Sequence, residues 1–178
     1  WENKGTSTSS KWVPVSGRIY SLAAAGTAHS NSTDEALIAS YSIAANTLWA
    51  GAVIKVEYQG IVTASDSTDT IAIKLYIGGL SGTALLQAPA IDAVNDMIFG
   101  GKCSITIRTI GASGTFVAFG HHIEVLAAAG TAVMDIVEIT ASTAIDTTVA
   151  QVVGVGADWS VATASNSCRM DIMNVFIQ

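Results

Sequence analysis

Alternation with a period of two residues, recurring along the chain and punctuated by turn residues, restricts this sequence more than any motif in it. In residues 53–62, Ile54, Val56 and Tyr58 alternate with Lys55, Glu57 and Gln59. That is the pattern of a half-buried strand, whose successive side chains point to opposite faces. Ile71, Ile73, Leu75 and Ile77 line one face of the next segment, which stops at Gly78-Gly79. Within 97–110, Ile105 and Ile107 point inward while Thr106 and Arg108 point out, and 111–114 make a turn tight enough for a hairpin. In 115–126, Val117, Phe119, His121, Ile123 and Val125 share a face. Ile145, Val149, Val153 and Val155 alternate with Thr148 and Ala150. The last segment puts Cys168, Met170, Ile172 and Phe176 on one face, with Arg169 and Asp171 opposite. Residues 80–93 read as a long loop carrying Pro89, and 133–139 as a weaker strand.

One stretch is ambiguous. Leu37, Ile38, Tyr41 and Ala45 have helical spacing, and Ser32 with Glu35 has the form of a capping box. Leu37, Ala39, Tyr41 and Ile43 fit a strand instead, and the surrounding β pattern favours the strand. About eight strands result: 17–24, 36–43, 52–63, 70–78, 97–110, 115–126, 145–155 and 167–177. Eight antiparallel strands with some long connections predict an all-β, two-sheet antiparallel jelly-roll sandwich over 17–178, preceded by an extended N-terminal arm at 1–16. An immunoglobulin-like sandwich is the alternative, without the Cys…Trp…Cys framework of many members. The heptapeptide Leu-Ala-Ala-Ala-Gly-Thr-Ala occurs at 22–28 and 126–132, each time after a strand-like segment. Its flanks do not repeat, so it marks no solenoid.

Composition excludes several function classes. With 178 residues, 50% hydrophobic and only 12% charged, the chain suits one globular domain and not disorder. A net charge of −6 and no basic cluster argue against nucleic-acid binding. No uninterrupted apolar run is long enough for a membrane helix, so neither a nucleic acid nor a membrane is an expected partner. The opening WENKGTSTSS lacks a signal peptide's apolar stretch and an initiator Met; a processed chain and a numbering choice both accommodate this. Mean hydropathy of +0.48 is high for a soluble monomer. Strand faces rich in Ala, Thr and Val suit subunit contacts, so a tight homo-oligomer is expected.

No catalytic signature is present: no Gly-x-Ser-x-Gly elbow, P-loop or dinucleotide fingerprint. Gly78-Gly79-Leu80-Ser81-Gly82 follows a strand and opens no helix. A glycosidase needs two carboxylates converging across a cleft, which fourteen scattered acids neither support nor deny. On a strand, His121 and His122 cannot share a face. The pattern sends His121 to the core with Phe119 and Ile123, and His122 outside beside Glu124. With only Glu124 and distant His29 to assist, no metal site is expected. Asp66, Asp69, Asp92 and Asp96 sit in loops without the order of a calcium-binding loop and read as turn formers. Cys103 and Cys168 have no metal-ligand spacing and read as small core hydrophobes of a chain assembled in a reducing compartment. The expectation is therefore no enzyme, no cofactor and no metal.

Four tryptophans remain as interface candidates. Trp1 and Trp12 bracket the polar arm, and Trp49 and Trp159 lie near strand ends. An exposed aromatic on a polar arm suggests that residues 1–16 dock on a neighbouring subunit or a larger shell. The alternative is that Trp12 closes the sandwich.

The segments IASYSIAANTLWAGAVIKVEYQG, TIAIKLYIGG and VVGVGADWSVATASNSCRMDIMNVFI resemble jelly-roll structural proteins of tailed-phage virions. The matching residues are Asn46-Thr47-Leu48, Gly51, Gly60, Gly78-Gly79, Trp159 and Asn166, with Ala45 where the pattern commonly has Pro. The resemblance runs over about 17–177. It implies a strand for 36–43 and a non-enzymatic virion structural protein: a head decoration (cement) protein or a head- or tail-fibre module, commonly a homotrimer. It further implies partners among the virion proteins, the major capsid protein first, and a place on the capsid exterior after assembly in the host cytoplasm. A receptor- or glycan-binding fibre module is the alternative, and a hydrolase on the same scaffold a third.

Overall fold

In the computed structural model, residues 2–3, 12–13, 17–64, 68–87, 89–93, 95–126 and 131–178 are described. Fourteen strands and no helix occur among them: β1 (Glu2–Asn3), β2 (Trp12–Val13), β3 (Gly17–Ser21), β4 (His29–Ser30), β5 (Ala36–Ile43), β6 (Val53–Thr63), β7 (Thr70–Ile77), β8 (Thr83–Gln87), β9 (Ile91–Asp92), β10 (Met97–Thr109), β11 (Gly114–Leu126), β12 (Thr131–Ile145), β13 (Gln151–Trp159) and β14 (Ser167–Ile177). β1 and β2 pair with each other alone. The rest form two antiparallel sheets, one ordered β12-β11-β10-β6-β14-β3 with β4 also on β14, the other β5-β13-β7-β8 with β9 on β7.

Eight of these strands make a jelly roll. In chain order β3, β5, β6, β7, β8, β10, β13 and β14 distribute between the sheets as β3-β14-β6-β10 and β5-β13-β7-β8, two interleaved Greek keys. β11 and β12 are interposed between β10 and β13 and extend the first sheet beyond the jelly roll. β12 is the edge of that sheet.

The core lies between the inner faces. Ile54, Val56 and Tyr58 from β6, Ile71, Ile73 and Leu75 from β7, and Cys103, Ile105 and Ile107 from β10 are buried as the alternation predicts. Each fully buried large side chain stabilises the fold by about 1.5–3 kcal/mol relative to exposure. Small residues make room for the large ones: a Cβ at Gly60 would collide with the Phe99 ring and the Arg169 carbonyl oxygen. β7 ends at Gly78 and Gly79, with φ of 89° and 73°, a left-handed pair that a side chain would strain.

The strand at 36–43 forms as expected, but three expectations need correction. Residues 80–93 are not all loop, because β8 and β9 occupy part of them. Leu85 and Leu86 are adjacent and both buried, so β8 shows no alternation. The segment 145–155 is not one strand. Ile145 ends β12, Asp146 bonds the Thr148 amide (2.8 Å) in a turn, and β13 runs on from Gln151 to Trp159. In β14 a register shift between Met170 and Ile172 moves Ile172 and Phe176 away from the face of Cys168 and Met170, and Met173, Val175 and Ile177 continue the core instead.

Candidate functional site

The sequence pattern of β11 fails in the most informative way. Its inner face carries Phe116, Ala118, His122 and Glu124, all buried, while Phe119 is 57% exposed. The assignment of His121 and His122 is therefore inverted: His122 is 1% exposed and His121 looks outward beside the partly exposed Ile123. The neighbour decides this. β10 must turn Cys103, Ile105 and Ile107 inward, and its register with β11 pairs them with Gly120, Ala118 and Phe116.

His122 survives inside because its polar atoms are met. Its Nδ1 lies 2.8 Å from the Tyr58 hydroxyl and its Nε2 3.1 Å from Oε1 of Glu124. Both bonds are satisfied by a neutral imidazole that accepts from Tyr58 O–H and donates through Nε2–H. The ring stacks against Tyr58 and Phe99, with centroids 5.9 and 6.3 Å away. Gly101 provides the space, since a Cβ there would stand 2.6 Å from the Tyr58 hydroxyl oxygen. Burial, with lesser contributions from Cys103 and Glu124, pushes the Tyr58 pKa well above the usual phenol range. Tyrosine, imidazole and carboxylate resemble a proton relay, but at 4, 1 and 0% exposure the three are enclosed in the sheet's packing. Their effect is to fix β6, β10 and β11 in one register.

The outer face of the same sheet is built in cross-strand rows. One row reads Ile172, Gln59, Gly100, Ile123, Met134; the next reads Asn174, Glu57, Lys102, His121, Ile136. Gly100 leaves the first row without a side chain at its centre. The result is a depression of about 470 Å³ walled by Ile98, Ile123, Val125 and Ile172. A second hollow of about 270 Å³ lies on the other side of Phe119, which therefore stands as a ridge between two concavities. Ile98, Phe119, Met134, Ile136 and Ile172 are 43, 57, 58, 61 and 46% exposed. Charge on the central rows comes from Lys102 and Glu57, which pair at 3.1 Å.

Other candidates pair among themselves. On the second sheet Lys74 bridges Glu35 (3.2 Å) and Asp158 (3.5 Å), while Tyr76 donates to Glu35 at 2.7 Å. Among the described residues no group of three or more His, Cys, Asp or Glu side chains is placed to hold a metal ion. Asp69 is a buried acceptor for the Asn166 amide (2.7 Å), and Asp96 adopts a left-handed turn conformation. Asp66 lies outside the described residues. Cys103 and Cys168 are free and buried. They flank β6 opposite Val56 and Val62, about 20 Å apart along the strands and far beyond disulfide reach.

Of the four tryptophans, only the side chains of Trp49 and Trp159 are described. Trp159 is 2% exposed, its Nε1 directed at the His29 carbonyl (3.4 Å), so its ring belongs to the core and presents nothing to a partner. Trp49 is partly buried against the core. Trp12 pairs through its backbone with Asn3, its side chain and all of Trp1 lying outside the described residues. The exposed aromatic of the outer face is Phe119, visible in the sequence only to a reader who sends the apolar face of 115–126 outward.

No family model matches the chain, and no curated protein does. Among solved structures, one of infectious bursal disease virus, Gx strain, aligns with 94% of this chain at 12% identity and a TM-score of 0.26. This chain spans 41% of that one, and the likeness is too loose to bear on function.

Proposed function

We propose that this protein is a non-enzymatic structural component of a virion, a jelly-roll subunit that decorates or cements a phage head as a homo-oligomer. The observation that carries the reading is that the residues of the tailed-phage resemblance hold the jelly roll closed. Asn46, with φ of 59°, turns the chain after β5, and its backbone amide donates to the Thr147 carbonyl (2.9 Å). Thr47 donates to the Ala44 carbonyl (2.6 Å), Leu48 is buried, and the Gly51 amide bonds Ile107 (2.8 Å). Gly78-Gly79 ends β7, Trp159 closes β13, and Asn166 anchors the entry to β14 on Asp69. A resemblance of this kind concerns scaffold, which fits a protein whose work is to be a rigid, multiply attached building block. The mechanism is avidity: several copies engaging repeated sites on a shell turn modest contacts into lasting attachment.

The test is co-sedimentation of the full chain with shells assembled from the major capsid protein, repeated with a chain lacking residues 1–16. Attachment of the full chain, weakened by the deletion while the far-ultraviolet β spectrum persists, is the expected result. Failure to attach, together with saturable binding to a glycan array, overturns it in favour of a fibre-type binding module.

A further inference from the structure

We propose that a second copy of this chain covers the outer face of the larger sheet, seated on the Phe119 ridge and the depression over Gly100. The inference deepens the virion reading and rests on it only for the expectation that copies meet at high local concentration. Four observations converge on one occupant.

The first is area. At roughly 150–200 Å² for a large apolar side chain, the exposed fractions of Ile98, Phe119, Met134, Ile136 and Ile172 leave about 450 Å² of apolar side chain in water. Single subunits rarely leave more than a few hundred in one patch. With the flanking Ile123, Val125 and the aliphatic stem of Lys102, the face approaches the ~800 Å² per partner of a standard interface.

The second is relief. A ridge and two hollows lie side by side on one surface, so the face offers both the knob and the socket. The third is charge. A chain of net charge −6 repels its own copies, yet this face does not add to that charge: Lys102 and Glu57 pair at its centre, with Lys55 in the Phe119 row and Arg108 in the second hollow. Lys102 and Glu57, adjacent and opposite in sign, each find a complement on an identical face.

The fourth is topology. Phe119, Met134 and Ile136 belong to β11 and β12, the two strands that the eight-stranded jelly roll does not need. An added hairpin that carries its apolar residues outward, and ends in the free edge of β12, leaves its burial to be completed by another copy.

The experiment is sedimentation velocity and native mass spectrometry of the full chain from about 1 to 100 µM. It compares wild type with Phe119→Asp, with the pair Met134→Glu and Ile136→Glu, and with Val161→Asp as a control on an exposed apolar residue outside this face. Wild type and V161D are expected to be dimers or larger closed assemblies. The face variants are expected to dissociate at concentrations at least a hundredfold higher, with circular dichroism unchanged. A wild-type monomer at 100 µM, or face variants that keep the wild-type mass, overturns the proposal. Should a face variant misfold, Phe119→Ser, which removes the ring without adding charge, carries the same expectation at about tenfold. Shell co-sedimentation scores the virion reading separately: an oligomer through this face that ignores shells sinks that reading alone, and a shell-bound monomer sinks this one alone.

Discussion

At the scale of single residues, the buried Tyr58–His122–Glu124 chain shows why one polar side chain commits its neighbours. Tyr58→Phe removes the proton donor that meets His122 Nδ1 and leaves a buried acceptor unmatched, a loss of about 1–3 kcal/mol. Glu124→Leu orphans the Nε2–H in the same way. Replacing all three by apolar residues of similar volume restores matched burial and is expected to cost less than the single losses added together. Urea midpoints of the single, double and triple variants measure this directly, and strictly additive losses would show that the three do not act as a unit. Gly60 makes the complementary point about volume. Gly60→Ala drives a methyl into a backbone carbonyl and the Phe99 ring; an overpacking cost of about 1–3 kcal/mol is expected by the same assay.

At the scale of elements, the turn after β12 ties two distant parts of the jelly roll together. Thr147 is buried, its hydroxyl accepts from the Gly111 amide at 2.8 Å, and its own amide bonds the Gly111 carbonyl at 3.0 Å. Thr147→Val keeps the shape but strands an amide donor. Chemical denaturation is expected to show about 1–3 kcal/mol of lost stability, and an unchanged midpoint would mean that water satisfies Gly111 as well. This turn is also where reading by alternation reached its limit. Ile145, Val149, Val153 and Val155 keep a period-two sequence straight through a reversal of direction, because Val149 is an exposed turn residue that happens to be in phase. β6 and β10 were legible because each has one apolar and one largely polar face, and β7 because Ile71, Ile73, Leu75 and Ile77 form an unbroken row, although Ala72 and Tyr76 opposite are buried too. β8 was not, since adjacent Leu85 and Leu86 are both buried. β11 misled because both of its faces can be buried: the even face holds Phe116 and a histidine that Tyr58 and Glu124 make tolerable, while the odd face holds more apolar surface. The candidate site is the residue of that conflict. Local pattern chose the greasier face for the core, the register with β10 chose the other, and the rejected face became the exposed surface.

For the whole molecule, the consequence of burying thiols and phenols is a loss of stability on the alkaline side. Burial pushes the Cys103 thiol up to about 12 and the Cys168 thiol higher still. Burial also raises Tyr58, while burial and then the hydrogen bond to Glu35 raise Tyr76. In the unfolded chain the same groups ionise near about 8.5 for a thiol and about 10 for a phenol. Between those values and the raised ones the unfolded state has released protons that the folded state still binds, so unfolding becomes more favourable as pH rises. The contribution is fully present below about pH 8 and is lost progressively above it, first through the thiols and then through the tyrosines. Urea midpoints are therefore expected to hold level from pH 7 to 8, fall by pH 9.5 and fall more steeply by pH 10.5. Cys103→Ala with Cys168→Ala should remove the earlier part of the fall, and Tyr76→Phe should flatten part of the later one. Because the buried thiols stay protonated and enclosed while the fold persists, labelling by a maleimide at pH 7 should be slow in buffer and rapid in denaturant. Brisk native labelling, or midpoints level to pH 10.5, would mean that these groups are hydrated in the folded protein and that the sandwich opens far more readily than its packing implies.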